Sequence, residues 1–180
     1  MKLFFKPLTM ENLEHLHHWF QDPVIKQLYG KNKTWSLNDI VRKYQPRIAG
    51  IENIPSFFIE INSLPIGFIQ YYCLQEHLPE GIKDINNELF EQYRPSEIAG
   101  IDLFIAEDIN RSKGYGSRII NQFISEFLIS YRLIVVDPER SNLQAIRCYE
   151  KSGFTITTFS SDEAHLLLIK ETKTSCKYSS

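Results

Sequence analysis

Apolar positions along this 180-residue chain recur with two periods, one of about two residues and one of about 3.6, and each switch of period marks an element. Residues 2–6 (Lys-Leu-Phe-Phe-Lys) read as a first strand. Thr9 then stands as an N-cap before Leu13, Leu16, Trp19 and Phe20 at helical spacing. Ser36 with Asp39 opens a second helix in a variant of the capping box, and Pro46 should end or kink it. Residues 56–62 and 66–74, rich in Phe, Ile and Tyr, read as a hairpin broken at Asn62-Ser63-Leu64-Pro65. Residues 76–97, with Pro79, Gly81, paired asparagines and Pro95, read as a long loop with room for one short helix. Strand character returns at 99–106. After Gly114-Tyr115-Gly116 comes a helix with Ile119, Ile120, Phe123, Ile124, Phe127 and Leu128 on one face. Leu133–Val136 is an apolar run that predicts a strand buried on both faces. Ser141 starts the last helix, with Gln144 in the capping-box position, and Gly153 stops it. Residues 154–159 and 164–170 read as a final antiparallel pair. The order predicts an α/β (α+β) domain over 1–172, with a central mixed, mostly antiparallel sheet flanked by helices and a flexible tail over 173–180.

Composition narrows the class. Hydrophobic residues make up 43%, enough for a sizeable core. The net charge of −2 and a pI of about 6.2 argue against a nucleic-acid binder. No apolar run approaches the roughly 20 residues that span a bilayer, and Met1–Pro7 is too short for a secretory signal. Cys73, Cys148 and Cys176 are widely spaced and odd in number, which predicts neither a disulfide framework nor a metal site and suits the cytoplasm. His15, His17 and His18 fall on the first helix with no completing ligand set, so no metal is expected.

The chemistry gathers around a glycine loop. A strand leading through Arg111-Ser112-Lys113-Gly114-Tyr115-Gly116 into a helix is a candidate phosphate cradle. Glycines permit close backbone approach, and the free N–H groups of a helix's first turn favour an anion. An ordinary strand-to-helix turn would read the same. A nucleotide P-loop is excluded, because no Gly-Lys-Ser/Thr follows, and position 119 is Ile where a dinucleotide loop needs Gly. Asn142 and Tyr149 lie seven residues apart on the last helix, so they should share a face. Cys148 points about 100° away from Tyr149 and reads as a packing residue.

Residues Arg111–Gly116 together with Asn142–Phe154 (Asn-Leu-Gln-Ala-Ile-Arg-Cys-Tyr-Glu-Lys-Ser-Gly-Phe) resemble the acetyl-CoA signature of the GNAT N-acetyltransferases, in order along nearly the whole chain. Within that superfamily, three segments resemble the aminoglycoside 6′-N-acetyltransferases: Pro65–Tyr72, Gly100-Ile101-Asp102, and Val136-Asp137-Pro138 with the helix that follows. Two departures stand out. Leu89-Phe90 and Leu28-Tyr29 occupy segments where aromatic pairs are usual, paired tryptophans in the first case. The resemblance implies acetyl-CoA as co-substrate, with its pyrophosphate on the backbone of Ser112–Gly116 flanked by Arg111 and Lys113. It also implies that strand residues Leu103, Phe104 and Ile105 pair with the pantetheine arm, that Asn142 and Tyr149 stand beside it, and that Gln70, Tyr71, Asp102 and Asp137 line the amine site.

On that reading Asp102 is the candidate base, direct or through a water, and Tyr149 the candidate acid for the thiolate. Attack is direct in a ternary complex. The segment 76–97 carries six acidic and two basic residues, a net of −4, while the whole chain is −2. Together with Asp137 and Glu60, that charge would draw a small polycationic amine. A solvated acidic loop would look alike. Hydroxylysine-type siderophore precursors, peptides and polyamines remain alternative acceptors, and a non-catalytic acetyl-CoA-binding module is the alternative of another class. The chain is expected to act as a monomer or homodimer.

Overall fold

The computed structural model describes residues 2–31, 33–106 and 114–172. Seven strands, β1 (Leu3–Pro7), β2 (Ser56–Ile61), β3 (Leu64–Cys73), β4 (Ile98–Ile105), β5 (Leu133–Val136), β6 (Thr155–Ile156) and β7 (Leu168–Glu171), form one sheet in the order β1-β2-β3-β4-β5-β7-β6. The β4–β5 pair is parallel, and the β1–β2, β2–β3, β5–β7 and β6–β7 pairs are antiparallel. This is the mixed, mostly antiparallel sheet that the pattern predicts. Two compact units divide the chain, one of 1–71 with 102–116 and one of 72–101 with 117–180.

In the first unit, the start of the chain folds as expected up to Phe20. Thr9 caps a 3-10 turn at Met10–Asn12 that leads into α1 (Leu13–Trp19). A helix the pattern did not predict follows, α2 (Pro23–Leu28). Asp22 caps it, its Oδ1 accepting from the Val24 and Ile25 N–H groups, and Pro23 sits at the first helical position where no N–H is needed. The capping box of Ser36 and Asp39 opens α3 (Leu37–Ile48). Pro46 does not end this helix, which runs on to Ile48, because it lies in the last turn and removes a single bond. The Pro46 carbonyl in turn accepts from Ile51 N–H at 2.8 Å, and Arg47 O from Gly50 N–H at 3.2 Å, a Schellman closure that places Gly50 at φ +71°. The hairpin β2–β3 turns at Asn62 and Ser63, both at positive φ, the signature of a two-residue type I′ turn. Pro65 is therefore inside β3 and not in the turn.

The first unit's core is aromatic. Phe20, Tyr44 and Phe68 are fully buried, and Phe104 packs on Phe68 at 5.7 Å and Tyr29 at 4.9 Å. Gly67 makes this packing possible: a Cβ there would stand 2.3 Å from the Phe104 carbonyl oxygen.

In the second unit, α5 (Tyr115–Phe127) buries Ile119, Ile120, Phe123 and Ile124, and β5 is buried throughout, as predicted. The acidic segment is turns, a single helical turn α4 (Leu89–Gln92) and a 3-10 turn at Pro95–Glu97. α6 (Leu143–Lys151) closes at Gly153, φ +89°. The last two strands are much shorter than the pattern suggests. Backbone groups of 157–166 are drawn instead to loop partners, with Arg140 N–H on Ala164 O and Ser161 N–H on Gly81 O, around the turn-forming Ser160-Ser161-Asp162.

Candidate active site

The first unit gathers a run of polar side chains around Asp102. Gln70 on β3 is only 5% exposed and lies beside Asp102 on β4, its Nε2 donating to Asp102 Oδ2 at 2.7 Å. The other end of the amide, Oε1, accepts from Arg47 Nη1 at 2.7 Å, and Arg47 Nε donates to Glu52 Oε2 at 2.9 Å. The result is a relay of carboxylate, guanidinium, amide and carboxylate, Glu52–Arg47–Gln70–Asp102. Ser56 is buried beside it and gives its hydroxyl to the Ile54 carbonyl at 3.0 Å. A guanidinium can only donate, so the Gln70 amide has one orientation here, with its NH2 facing Asp102.

Two phenols and a lysine complete the surroundings. Tyr29 and Tyr44 both titrate above the ordinary tyrosine range, chiefly through burial, with the Asp102 carboxylate pushing the same way. Both stay protonated at neutral pH. The Tyr44 hydroxyl is fully buried, with the Tyr29 phenol as its hydrogen-bonding neighbour. Lys43 lies over the rings of Trp35, Tyr44 and Tyr29 at 4.8, 5.4 and 6.0 Å. Burial, with the Arg47 guanidinium second, pulls its ammonium down to about 8, and Asp102 acts in the opposite direction. Arg47 itself stacks on the Tyr44 ring at 5.1 Å, as an i, i+3 pair on α3 allows. Tyr71, half-buried on the opposite face of β3 from Gln70, has its phenol pushed up by burial.

Leu103, Phe104 and Ile105 follow Asp102 on β4, beyond the Ile98–Gly100 stretch that pairs with Leu133–Val135. The Phe104 side chain belongs to the aromatic core, so only its backbone is available to a ligand. Arg111, Ser112 and Lys113 lie outside the described residues. Gly114 has φ +76°, the left-handed conformation a glycine loop exploits, and Tyr115 and Gly116 open α5.

In the second unit, Tyr149 is buried on α6 and packs on Phe154 at 5.7 Å. Asn142 departs from the expectation. It is the N-cap of α6, φ −83° and ψ 66°, its Oδ1 accepting from Ala145 N–H at 3.1 Å. Ser141 therefore does not start the helix, and the seven-residue argument that put Asn142 and Tyr149 on one helical face fails because Asn142 is not helical. Asp137, just past β5, accepts from Gly81 N–H at 3.1 Å and so pins the acidic segment's start. Cys148 is half-buried with its thiol pushed up by burial, in keeping with packing. Glu60 is paired with Lys6 at 2.9 Å.

His17 Nε2 meets the Trp35 carbonyl at 3.0 Å, and His15 stacks edge-on against Trp19. Among the described residues no group of three His, Cys, Asp or Glu side chains could hold a metal, and no helix is long and apolar enough to cross a membrane. Sequence reasoning missed Lys43, Tyr44, Arg47 and Glu52. The available signal was Tyr44 and Arg47 at i, i+3 on a helix whose apolar stripe is otherwise Ile40 and Ile48.

Comparison with known proteins places these features in a family. The family described as Acetyltransferase (GNAT) domain matches residues 9–159, a span that includes Gln70, Asp102, Asp137 and Tyr149. The aminoglycoside N(6′)-acetyltransferase type 1 of Klebsiella pneumoniae is 30% identical over 159 residues, covering 84% of this chain and 75% of that protein. The fold is similar to the structure of AAC(6′)-Ib with ribostamycin and coenzyme A, TM-score 0.80 at 23% identity with both chains fully covered. It is also similar to aminoglycoside acetyltransferase AAC(6′)-Ib with coenzyme A, TM-score 0.76 at 24% identity over 94% and 95% of the two chains.

Proposed function

This chain belongs to the GNAT acetyltransferase family, and on that premise we propose that it transfers the acetyl group of acetyl-CoA to the 6′-amino group of an aminoglycoside, in the cytosol. The observation that carries the acceptor is the 30% identity, over most of the chain, to an aminoglycoside N(6′)-acetyltransferase. The site chemistry is compatible with it. An alkylamine is mostly protonated at neutral pH and must lose a proton to attack a thioester. Asp102, held by the Gln70 amide, is the base, directly or through a water. The nitrogen attacks the acetyl carbonyl in a ternary complex, the tetrahedral oxyanion is met by a backbone N–H of Leu103–Ile105, and the thiolate leaves as Tyr149 supplies a proton.

Coenzyme A supplies the acetyl thioester. Its pyrophosphate is assigned to the backbone between Arg111 and Gly116, and Gly114's left-handed backbone supports that assignment. Asn142 is assigned beside the pantetheine through its backbone, because its side chain is occupied as a cap. Gln70, Tyr71 and Asp137 are assigned to the amine side. The acceptor is a small polycation, and neither nucleic acid nor membrane is a partner in this reading.

The test is thiol release from acetyl-CoA with kanamycin, ribostamycin, spermidine, hydroxylysine and a short peptide as acceptors. Turnover on the two aminoglycosides, with the product acetylated at the 6′ nitrogen by NMR, is the expected result. Turnover confined to hydroxylysine or the peptide would refute the acceptor, and no thiol release with any of them would refute the transferase.

A further inference from the structure

We propose that Arg47 is a positioning residue for the site carboxylate Asp102, acting through the side-chain amide of Gln70. This inference rests on the reading of Asp102 as part of the acetyl-transfer site.

A glutamine amide is nearly symmetric in shape and can present either its oxygen or its NH2 to a neighbour. Two fixed groups remove the choice here. Arg47 carries donors only, and its Nη1 lies 2.7 Å from Gln70 Oε1. Asp102, when ionised, accepts only, and its Oδ2 lies 2.7 Å from Gln70 Nε2. Each hydrogen bond polarises the amide so that the other strengthens.

Arg47 is itself held. Its Nε donates to Glu52 at 2.9 Å, its plane lies over the Tyr44 ring at 5.1 Å, and its side chain is only 11% exposed. The Schellman closure that follows α3 sends the chain back from Ile48 to Glu52, since Glu52 N–H also donates to Pro46 O at 3.1 Å. The carboxylate that anchors the guanidinium is therefore positioned by the helix end. Asp102 sits on a strand flanked by aromatic side chains, and its carboxylate rotates about χ2 unless a directional donor holds it. A buried amide held from behind by a buffered cation is such a donor, and it adds no formal charge next to an incoming ammonium. A lysine or arginine touching Asp102 directly would compete with the acceptor amine. Passing the interaction through a neutral amide orients the carboxylate without seating the guanidinium on it.

The experiment uses the full chain in two independent arms. The first needs no substrate: the side-chain NH2 of Gln70 is followed by 1H–15N NMR in wild type, Arg47→Met, Arg47→Lys and Asp102→Asn. Wild type should give one Nε2 proton shifted well downfield of an ordinary glutamine amide and slow to exchange with water. Arg47→Met and Asp102→Asn should each move that proton back toward the ordinary amide position and speed its exchange, and Arg47→Lys should do so in part. Identical Gln70 spectra in wild type and Arg47→Met would overturn the relay.

The second arm is kinetic, with acetyl-CoA and kanamycin. Arg47→Met should lower kcat about tenfold, the scale of a misplaced catalytic group, with the KM for acetyl-CoA unchanged and Arg47→Lys recovering part of the loss. Gln70→Glu keeps a partner for Arg47 but turns an oxygen toward Asp102, so it should lose more than Arg47→Met. An equal or smaller loss in Gln70→Glu would overturn the proposal as well. If kanamycin is not a substrate of the wild-type chain, the acceptor reading fails on its own, and the NMR arm still decides the relay.

Discussion

Gly67→Ala probes how closely β3 and β4 approach, and that approach brings Gln70 within 2.7 Å of Asp102. The added Cβ would lie 2.3 Å from the Phe104 carbonyl oxygen and 3.1 Å from the Ile105 Cα, where ordinary contact begins at 3.4 Å. The strands must part by about 1 Å, and the obstacle is backbone, which cannot rotate away. Overpacking of a tight interior costs ~1–3 kcal/mol, and a main-chain clash belongs at the upper end. Replacing glycine also removes some unfolded-chain entropy, which returns ~0.4–1 kcal/mol. The net expectation is a loss of about 2–3 kcal/mol, or roughly 4–12 °C in Tm for a chain of this size. Urea denaturation and thermal melts by circular dichroism measure it. Gly100→Ala is the internal comparison. There the new Cβ would meet the Tyr72 ring at 2.4 Å, a side chain that can shift, so its loss should be smaller. A Gly67→Ala protein melting within 2 °C of wild type, or melting above Gly100→Ala, would refute the reasoning.

Other perturbations follow from single observations. Asp102→Asn should lower kcat by ~10²-fold or more and Tyr149→Phe should lower it as well, with coenzyme A affinity by calorimetry nearly intact in both; wild-type rates would remove their roles. Lys43 titrates at about 8 in the folded chain against 10.5 for an ordinary lysine, so between those values the unfolded chain binds more protons and stability rises with pH. Lys43→Met should therefore raise Tm at pH 7, with the gain shrinking as pH approaches 10, and a gain independent of pH would contradict the assignment. Gly50→Ala should cost about 1 kcal/mol in urea unfolding, because Gly50 sits at φ +71° with open space around it and backbone strain is the only penalty. Cys148 should react with a maleimide more slowly in the folded chain than after unfolding, since burial raises its thiol pKa, and equal rates would place it at the surface.

What the sequence made legible follows the range over which each feature is decided. β5, α5 and the Ser36 cap of α3 depend on residues within one turn or one strand, and they appear where period and caps put them. The place of Asn142 as the cap of α6 is decided on the same local scale. Ser141 and Asn142 are both good caps, and only the bond from Ala145 N–H decides between them. The shortened β6 and β7 fail for a different reason. Their residues have strand character, but a strand needs a partner, and loop residues 81, 138 and 140 take the bonds.

The relay lies furthest from sequence reasoning. Glu52, Arg47, Gln70 and Asp102 come from a helix end, a helix, and two strands, and the closure from Arg47 to Gln70 spans 23 residues. Arg47 on an amphipathic helix is most simply read as a solvated cation, and Gln70 in an apolar strand as a polar residue that happens to line the site. Only their meeting shows that each satisfies the other: a buried amide needs both a donor and an acceptor, and an almost buried guanidinium needs more than one acceptor.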